Sequence, residues 1–545
     1  MNKIAHYLQD HVSGEIVTSS EARRHFSTDA SIFTVTPNTI VYPRNESDIR
    51  KVTRFTWQLA ERGRFFPITA RGSGTDQTGA AIGQGIILVF PAHINRILEF
   101  DIKTGVVVVE PGINYGKLQQ TLLTHDRFLP PYPASMEYST IGGAIANNAA
   151  GDKSIKYGTT LDYVKELRVV LANGEVIITK RISKRELNKK LGLTTFEGEI
   201  YRNIDALIEE NKDDIERMNL PVTKNVAGYA LNMVKHKDGS IDLTPLIVGS
   251  QGTLGIITEA TLTTELRRPS SSLIAIAIDD VNVLEEVILE LRKFPELPSA
   301  MELVDDNLLN IVNQNNPNLI KHLISEPLPK FVLLVEFDNP SDHLQKKLTR
   351  KVVKLLKNYQ LPYQLETDPE KKEDLWKIRQ STVAIIAHNE AHAQPLPVID
   401  DGIVPPEQVS KLIQGVHNIF KSHNIPIAIY GHAGDGQLHL RPLLDLKQVG
   451  DRQKIFKLLD EFNNLVISLH GSISGENGDG RIRGNYLNML YGEDIYELFK
   501  KVKQAFDPHG ILNPGVKIGV NAQQQKGLLR EEYSLGHLYN YLPYI

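Results

Sequence analysis

No cysteine occurs anywhere in the 545 residues. Disulfides, thiolate nucleophiles and cysteine-ligated iron–sulfur clusters are therefore excluded within this chain. No run of about 18 apolar residues is present, so no transmembrane helix is expected. Met1 to Asp10 lack a basic segment followed by an apolar one, which argues against a signal peptide. There is no long basic run and the formal net charge is −4, a poor basis for binding nucleic acid. The default compartment is cytoplasmic, with peripheral contact at the inner face of a membrane left open.

With 41% hydrophobic and 23% charged residues the chain reads as globular, and its length implies two or three domains. Residues 1–35 read as a short helical lead-in. A mixed α+β domain is expected over 36–268. There, residues 86–90, 106–109 and 167–171 are apolar runs bounded by turn residues, Asn173-Gly174 is a hairpin signal, and a helical period runs over about 49–62. A second α+β region is expected over 269–450, with strands at 273–278 and 331–337 and helices at 281–294 and 342–359. Residues 451–520 read as mostly helical, and 521–545 form a tail with no assigned role.

Arg71-Gly72-Ser73-Gly74-Thr75-Asp76-Gln77-Thr78-Gly79 is a glycine-rich loop ahead of a strand. Glycines let the backbone turn several N–H groups toward one anion, and hydroxyls add donors. The loop lacks the Gly-x-Gly-x-x-Gly of Rossmann folds, and taken alone it fits an ordinary turn equally well. Further small-residue segments favour a dinucleotide: Pro133-Ala134-Ser135, the stretch from Thr140 through Gly142, Gly143 and Asn147 to Gly151, and Gly249-Ser250-Gln251-Gly252-Thr253-Leu254-Gly255-Ile256-Ile257. They permit close approach of backbone to a flat ring and its phosphates.

The final third carries Gly431-His432-Ala433-Gly434-Asp435-Gly436-Gln437-Leu438-His439 and Ser474-Gly475-Glu476-Asn477-Gly478-Asp479-Gly480. Two imidazoles and a carboxylate can converge on one divalent cation. The glycines between the histidines oppose a helix, so a turn feeding a short strand over 437–440 is expected. From these residues alone, structural histidines and metal ligands are both open readings.

Taken in order from about residue 30 to 518, these motifs resemble the FAD-linked oxidases of the vanillyl-alcohol-oxidase superfamily. Within them they resemble the branch of D-lactate dehydrogenase, D-2-hydroxyglutarate dehydrogenase and the flavin-bearing subunit of glycolate oxidase. The resemblance implies a PCMH-type FAD-binding domain of two α+β subdomains, an α+β substrate and metal-binding domain, and a C-terminal helical segment whose Asn513 returns to the flavin. It implies Arg71, Gly72, Ser73, Gly74, Thr75, Asp76 and Gly79 at the pyrophosphate. Pro133, Ser135, Thr140, Gly142, Gly143, Asn147 and Gly151 would line the flavin, with Gly252, Gly255 and Ile257 near the isoalloxazine or adenine. Some relatives attach FAD through a histidine in the first loop; Thr75 and Asp76 stand there instead, so FAD is expected to be non-covalent.

The resemblance further implies that His432, His439 and Glu476 hold a divalent metal, commonly zinc, and that Arg379 on a helix binds the substrate carboxylate. Residues 398–406 are expected to form a strand crossing the site, with Asp400 and Asp401 either orienting site residues or making a turn. Arg441 either aids substrate or pairs with an acid. Asn477 departs from the family: relatives place there a histidine proposed as base, and an amide cannot take that part. Asp479, His388, His392 and a metal-bound hydroxide are the candidate substitutes. The implied activity is oxidation of a D-2-hydroxy acid, such as D-lactate or glycolate, to the 2-oxo acid by hydride transfer to flavin N5. An iron–sulfur, quinone or cytochrome acceptor would take the electrons. Two alternatives stand beside it: a flavoenzyme of the same fold acting on another alcohol or a sugar, and a non-catalytic flavin-fold subunit of an oxidase complex.

Overall fold

The computed structural model describes residues 3–268, 270–315, 317, 327–388 and 393–539, without the side chains of 315, 380–388 and 539. His392 and the side chain of His388 therefore lie outside the described residues. Three larger sheets organise the rest.

The first has the strand order Glu15–Val17, Thr39–Tyr42, Ile86–Val89, Ile68–Arg71; its inner pairs are parallel and its first strand is an antiparallel edge. The lead-in is thus not helical throughout. Between the helices Lys3–His11 and Ser20–His25, a strand of three residues pairs with Thr39–Tyr42, and a run that short shows no period by which a sequence could reveal it. The second sheet is antiparallel, ordered Ile97–Asp101, Val106–Val109, Ile256–Thr263, Val164–Val170, Val176–Thr179. The Asn173-Gly174 turn joins its last two strands, and Gly174 takes the left-handed φ of 82° that the turn needs.

The third sheet has seven antiparallel strands: Tyr363–Glu366, Ser270–Ile278, Phe331–Asn339, Ala300–Asp305, Ile427–Gly431, His439–Leu444 and Gln394–Pro395. Both of its faces are covered, which explains why its central strands read as unbroken apolar runs. Ile274, Ile276, Leu333 and Val335 join the core shared with the helices Val281–Arg292, Asp342–Asn358, Val409–Ser422 and Val449–Ser468. Their alternates Leu273, Ala275, Val332 and Leu334 pack on the other face with Leu308 and Leu309 of Asp306–Asn315 and Leu375 and Ile378 of Pro369–His388. Residues 398–406 are not the strand expected. They run irregularly, and Ile403 alone makes single bridges to Gln437 and Ser472. The Asp400 and Asp401 side chains are consumed by other contacts, described below, and Pro405-Pro406 bars further pairing.

The C-terminal segment ties the sheets together. Val449–Ser468 buries Leu458, Phe462 and Val466 in the core of the seven-stranded sheet, whereas Glu493–Phe506 buries Leu498, Phe499 and Val502 in that of the five-stranded one. The chain then reaches the first sheet, where Leu512 bridges Ile68. Asn513, at a left-handed φ of 44°, donates from Nδ2 to Ala80 O and Gln251 O, both at 2.8 Å, and accepts from Thr69 Oγ1 at 3.0 Å. Among the described residues no helix is long and apolar enough to cross a membrane.

Asn513→Ala strands three buried polar partners and puts at positive φ a residue that tolerates it less well than asparagine. It is expected to destabilise the protein by about 2–4 kcal/mol, read as an earlier urea or thermal transition; an unmoved transition contradicts the account of this hook.

Candidate active site

The loop 71–79 leaves the end of Ile68–Arg71, and residues 252–257 lead into Ile256–Thr263, so the first two sheets present small-residue segments to one cleft of about 1050 Å³, counted to its open mouth. Of the residues expected to hold a dinucleotide, the cleft is lined by Arg71 through Asp76, Pro133, Ser135, Thr140, Gly142, Gly143, Asn147, Gly252, Gly255 and Ile257. Gly79, Gly151 and Asn513 stand behind the wall. Gly79 packs against Phe33 and Arg481, Gly151 against the Tyr132 carbonyl, and Asn513 holds Ala80 and Gln251 in place.

The lining fits an anion. No backbone N–H from Gly72 to Gln77 meets an acceptor among the described residues, which leaves a row of donors at the head of the cleft. A Cβ on Gly72 would strike Thr140 Oγ1 at 2.3 Å, so the glycine lets the two loops close on each other. Asp76 organises the loop: its oxygens accept from Thr78 N at 2.9 Å, Ala80 N at 2.8 Å and Asn147 Nδ2 at 3.1 Å.

Asn477 lines the same cleft, and its neighbour Glu476 belongs to a second constellation. His432 follows the strand Ile427–Gly431 and His439 opens the next one, with Tyr430 and His439 paired across the ladder. Gly431 makes the turn at a φ of 139°, and a side chain there would crowd Gln437 O and His439 N at 3.0 Å. Glu476 is delivered by a loop gathered on Asp401, whose carboxylate accepts from Glu476 N and Asn477 N at 2.9 Å and from Gln437 Nε2 at 2.7 Å.

The three donor atoms converge. His432 Nε2 lies 3.2 Å from Glu476 Oε1 and 3.3 Å from His439 Nε2, and His439 Nε2 lies 3.4 Å from Glu476 Oε1. Corners of a tetrahedron about 2.0–2.1 Å from a central zinc are about 3.3 Å apart, so the triangle has the size such an ion needs, with a fourth position left over. Each ring is aimed from behind: His432 Nδ1 meets Glu302 Oε1 at 2.7 Å, and His439 Nδ1 meets Asp400 Oδ1 at 2.8 Å. With hydrogen on Nδ1, both lone pairs point at Glu476.

The charges around the three groups shift their proton affinities. Burial works against a charged His432, yet Glu302 and then Glu476 push it up to about 10. His439 is also raised, Asp400 outweighing burial. Burial would lift Glu476, but Lys224 and then His432 hold it well below the usual carboxylate range.

Arg379 is buried beside this cluster, its Nε 2.9 Å from Glu302 Oε2, its Nη2 3.5 Å from Asp152 Oδ1, and its guanidinium 4.8 Å from the Tyr430 ring centre. Arg441 pairs with an acid, Asp400, at 2.8 Å, and so steadies the carboxylate behind His439. Asn477 donates to Asp401 through both its amides. Asp479 is no candidate base: its Oδ2 accepts from Lys517 Nζ at 2.6 Å and Gly228 N at 2.9 Å in a fully buried pair.

Several residues here went unread in the sequence. Lys224 Nζ reaches Glu476 Oε2 at 2.6 Å, leaving Oε1 for the imidazoles. Gln251 donates to Thr78 Oγ1, Asn147 Oδ1 and Asn477 O and accepts from Gly480 N, joining the cleft to the Glu476 loop. Glu302 left a signal: a carboxylate inside Ala300-Met301-Glu302-Leu303-Val304 must be paired if that strand is buried. Asp152 and Lys224 sit in segments with no comparable contrast.

Residues 37–180 match the model of the FAD binding domain, and residues 268–516 match the FAD linked oxidases, C-terminal domain. The chain belongs to the FAD-linked oxidases. This FAD-linked oxidase chain is 30% identical over 519 residues to a D-2-hydroxyglutarate dehydrogenase of Pantoea ananatis, which covers 92% of this chain and 50% of that protein. It thus spans about half the length of that relative. It is 28% identical over 511 residues to glycolate oxidase subunit GlcD of Bacillus subtilis, covering 93% and 94% of the two chains. Among solved structures, p-cresol methylhydroxylase with substrate bound superposes over 95% of this chain and 96% of its own with a TM-score of 0.70 at 13% identity, a likeness of fold.

Glu302→Gln removes the charge that aims His432. It is expected to weaken binding of a divalent metal by about 10–100-fold while FAD stays bound. Competition against a chromophoric chelator measures this, and an unchanged affinity contradicts the aiming.

Proposed function

We propose that the chain is a flavin dehydrogenase that oxidises a D-2-hydroxy acid to the 2-oxo acid, with non-covalent FAD in the cleft and a divalent cation, zinc foremost, on His432, His439 and Glu476. The observation that carries this reading is the triangle of three donor atoms bordering, through Asn477, the wall of the cleft. When bound, FAD supplies a hydride acceptor and the cation supplies acidification of a coordinated hydroxyl.

The chain's own residues divide the remaining work. Glu302 and Asp400 keep each imidazole in the tautomer that offers Nε2. Lys224 holds Glu476 so that a single oxygen faces the rings. Arg379 supplies a planar, permanently charged fork suited to a carboxylate, and its guanidinium lies over the Tyr430 ring. Asn477 holds the Glu476 loop to Asp401 and takes no proton. With no cysteine in these residues, a cysteine-ligated cluster that receives the electrons lies outside them, and a quinone or cytochrome serves equally.

The relatives' names, D-2-hydroxyglutarate dehydrogenase and glycolate oxidase subunit, favour 2-hydroxy acids as the class. Anaerobic mixing of the FAD-loaded protein with D-lactate, glycolate, D-2-hydroxyglutarate and D-malate, with zinc or manganese present, is expected to bleach the flavin with at least one acid. His432→Ala is expected to keep FAD and slow bleaching by about a hundredfold or more. Equal bleaching by that variant would refute the metal's part. Bleaching by none of the acids would shift the reading to another alcohol or a sugar.

A further inference from the structure

The family match ends at residue 516, yet the chain beyond it folds back onto the cofactor loop. After the short helix Ala522–Gly527, residues 528–530 form a narrow ladder with residues 32–34. Thr34 N donates to Leu528 O at 2.8 Å, Arg530 N donates to Ile32 O at 2.9 Å, and Phe33 bridges Leu529. Arg530, 5% exposed, donates to Phe33 O at 3.0 Å, to Ser534 O at 3.1 Å and to Asp29 O. The Tyr533 hydroxyl donates to Ala30 O at 2.9 Å. The turn Gly536–Tyr539 then carries His537 inside, 7% exposed, with Nε2 2.9 Å from Gly74 O.

That carbonyl belongs to the loop at the head of the cleft. It also accepts from Ala30 N at 3.0 Å, so two donors pin it from outside, one on the tail and one on the segment that the tail holds. In a trans peptide the carbonyl and the next N–H point in opposite directions. Pinning Gly74 O outward therefore turns Thr75 N–H the other way, and Gly74 and Thr75 both line the cleft. Thr75 N meets no acceptor among the described residues. We propose that residues 528–538 form a cofactor strap in which His537 positions the Gly74–Thr75 peptide so that its N–H serves the pyrophosphate of FAD.

His537 is a positioning residue and does not itself touch the ligand. A carbonyl can only accept, so Nε2 carries the proton, and Nδ1 is buried with no partner among the described residues. Burial first, and the nearby Arg71 charge second, hold the ring neutral. A space-filling Phe or Leu would occupy this position with no bare lone pair. What histidine adds is the donor to Gly74. The inference rests on the reading of the cleft as an FAD site.

The test is FAD affinity of the full chain, measured by titrating FAD-free protein and following quenching of flavin fluorescence. His537→Ala and His537→Phe, the latter keeping the bulk and losing the donor, are each expected to weaken FAD binding by about tenfold, one hydrogen bond's worth. His537→Gln, whose amide can donate to the same carbonyl, is expected to recover most of that loss. The FAD-free variants should unfold within a few degrees of wild type. If wild type binds FAD and His537→Phe binds it within twofold of wild type, the strap has no such part. Failure of wild type itself to bind FAD would overturn the cofactor reading, and the strap with it.

Discussion

Two hydrogen bonds, Glu302 to His432 Nδ1 at 2.7 Å and Asp400 to His439 Nδ1 at 2.8 Å, constrain everything at the centre of this molecule. Each turns an imidazole so that its other nitrogen faces Glu476. Rings oriented this way set lone pair against lone pair and against a carboxylate, an arrangement that is unfavourable in a buried place unless protons or a cation sit between. The two carboxylates behind the rings are themselves held by Arg379 and Arg441, and Glu476 is held by Lys224. Every charge in the cluster thus has a partner outside the triangle. Fixed partners on the outside and a concentration of lone pairs on the inside are what a metal centre requires.

The same rigidity links this centre to the cofactor cleft. Asp401 gathers Gln437, Glu476 and Asn477, so the loop bearing Glu476 is tied to the turn between the histidines. Gln251 then joins that loop to Thr78 and Asn147 on the cleft side, and Asn513 fastens Gln251 to the first sheet. The buried Lys517–Asp479 pair closes the far side through Gly228. Three segments far apart in sequence therefore meet in one hydrogen-bonded frame, and a substrate between ring and cation would find both at a fixed separation. Buried pairs of this kind add little net stability but penalise any other arrangement strongly.

Much of this was legible in the amino-acid order. Strands of the seven-stranded sheet stand out because helices cover both faces, which makes residues such as Leu273–Ile278 apolar without alternation. Glycines mark the loops of both sites because backbone must pass close to something there, as at Gly72 and Gly431. What stayed hidden shares a physical cause. Lys224, Asp152 and Gln251 acquire meaning only from partners hundreds of residues away in several cases, and no local period or turn chemistry announces such a contact. Glu15–Val17 is too short to show alternation, and residues 398–406, apolar enough for a strand, lose that form to the side-chain duties of Asp400 and Asp401. The polar tail has no pattern of its own because its ladder is made against residues 32–34.

The claim that most needs measuring is that one cation sits on the triangle in front of the flavin. Crystals of the FAD-loaded protein, grown with zinc and recorded on both sides of the zinc absorption edge, would locate it by anomalous scattering. The account predicts a single strong peak about 2.0–2.1 Å from His432 Nε2, His439 Nε2 and Glu476 Oε1, facing the isoalloxazine. A fully occupied zinc elsewhere, with those three side chains bonded only to one another, would contradict it.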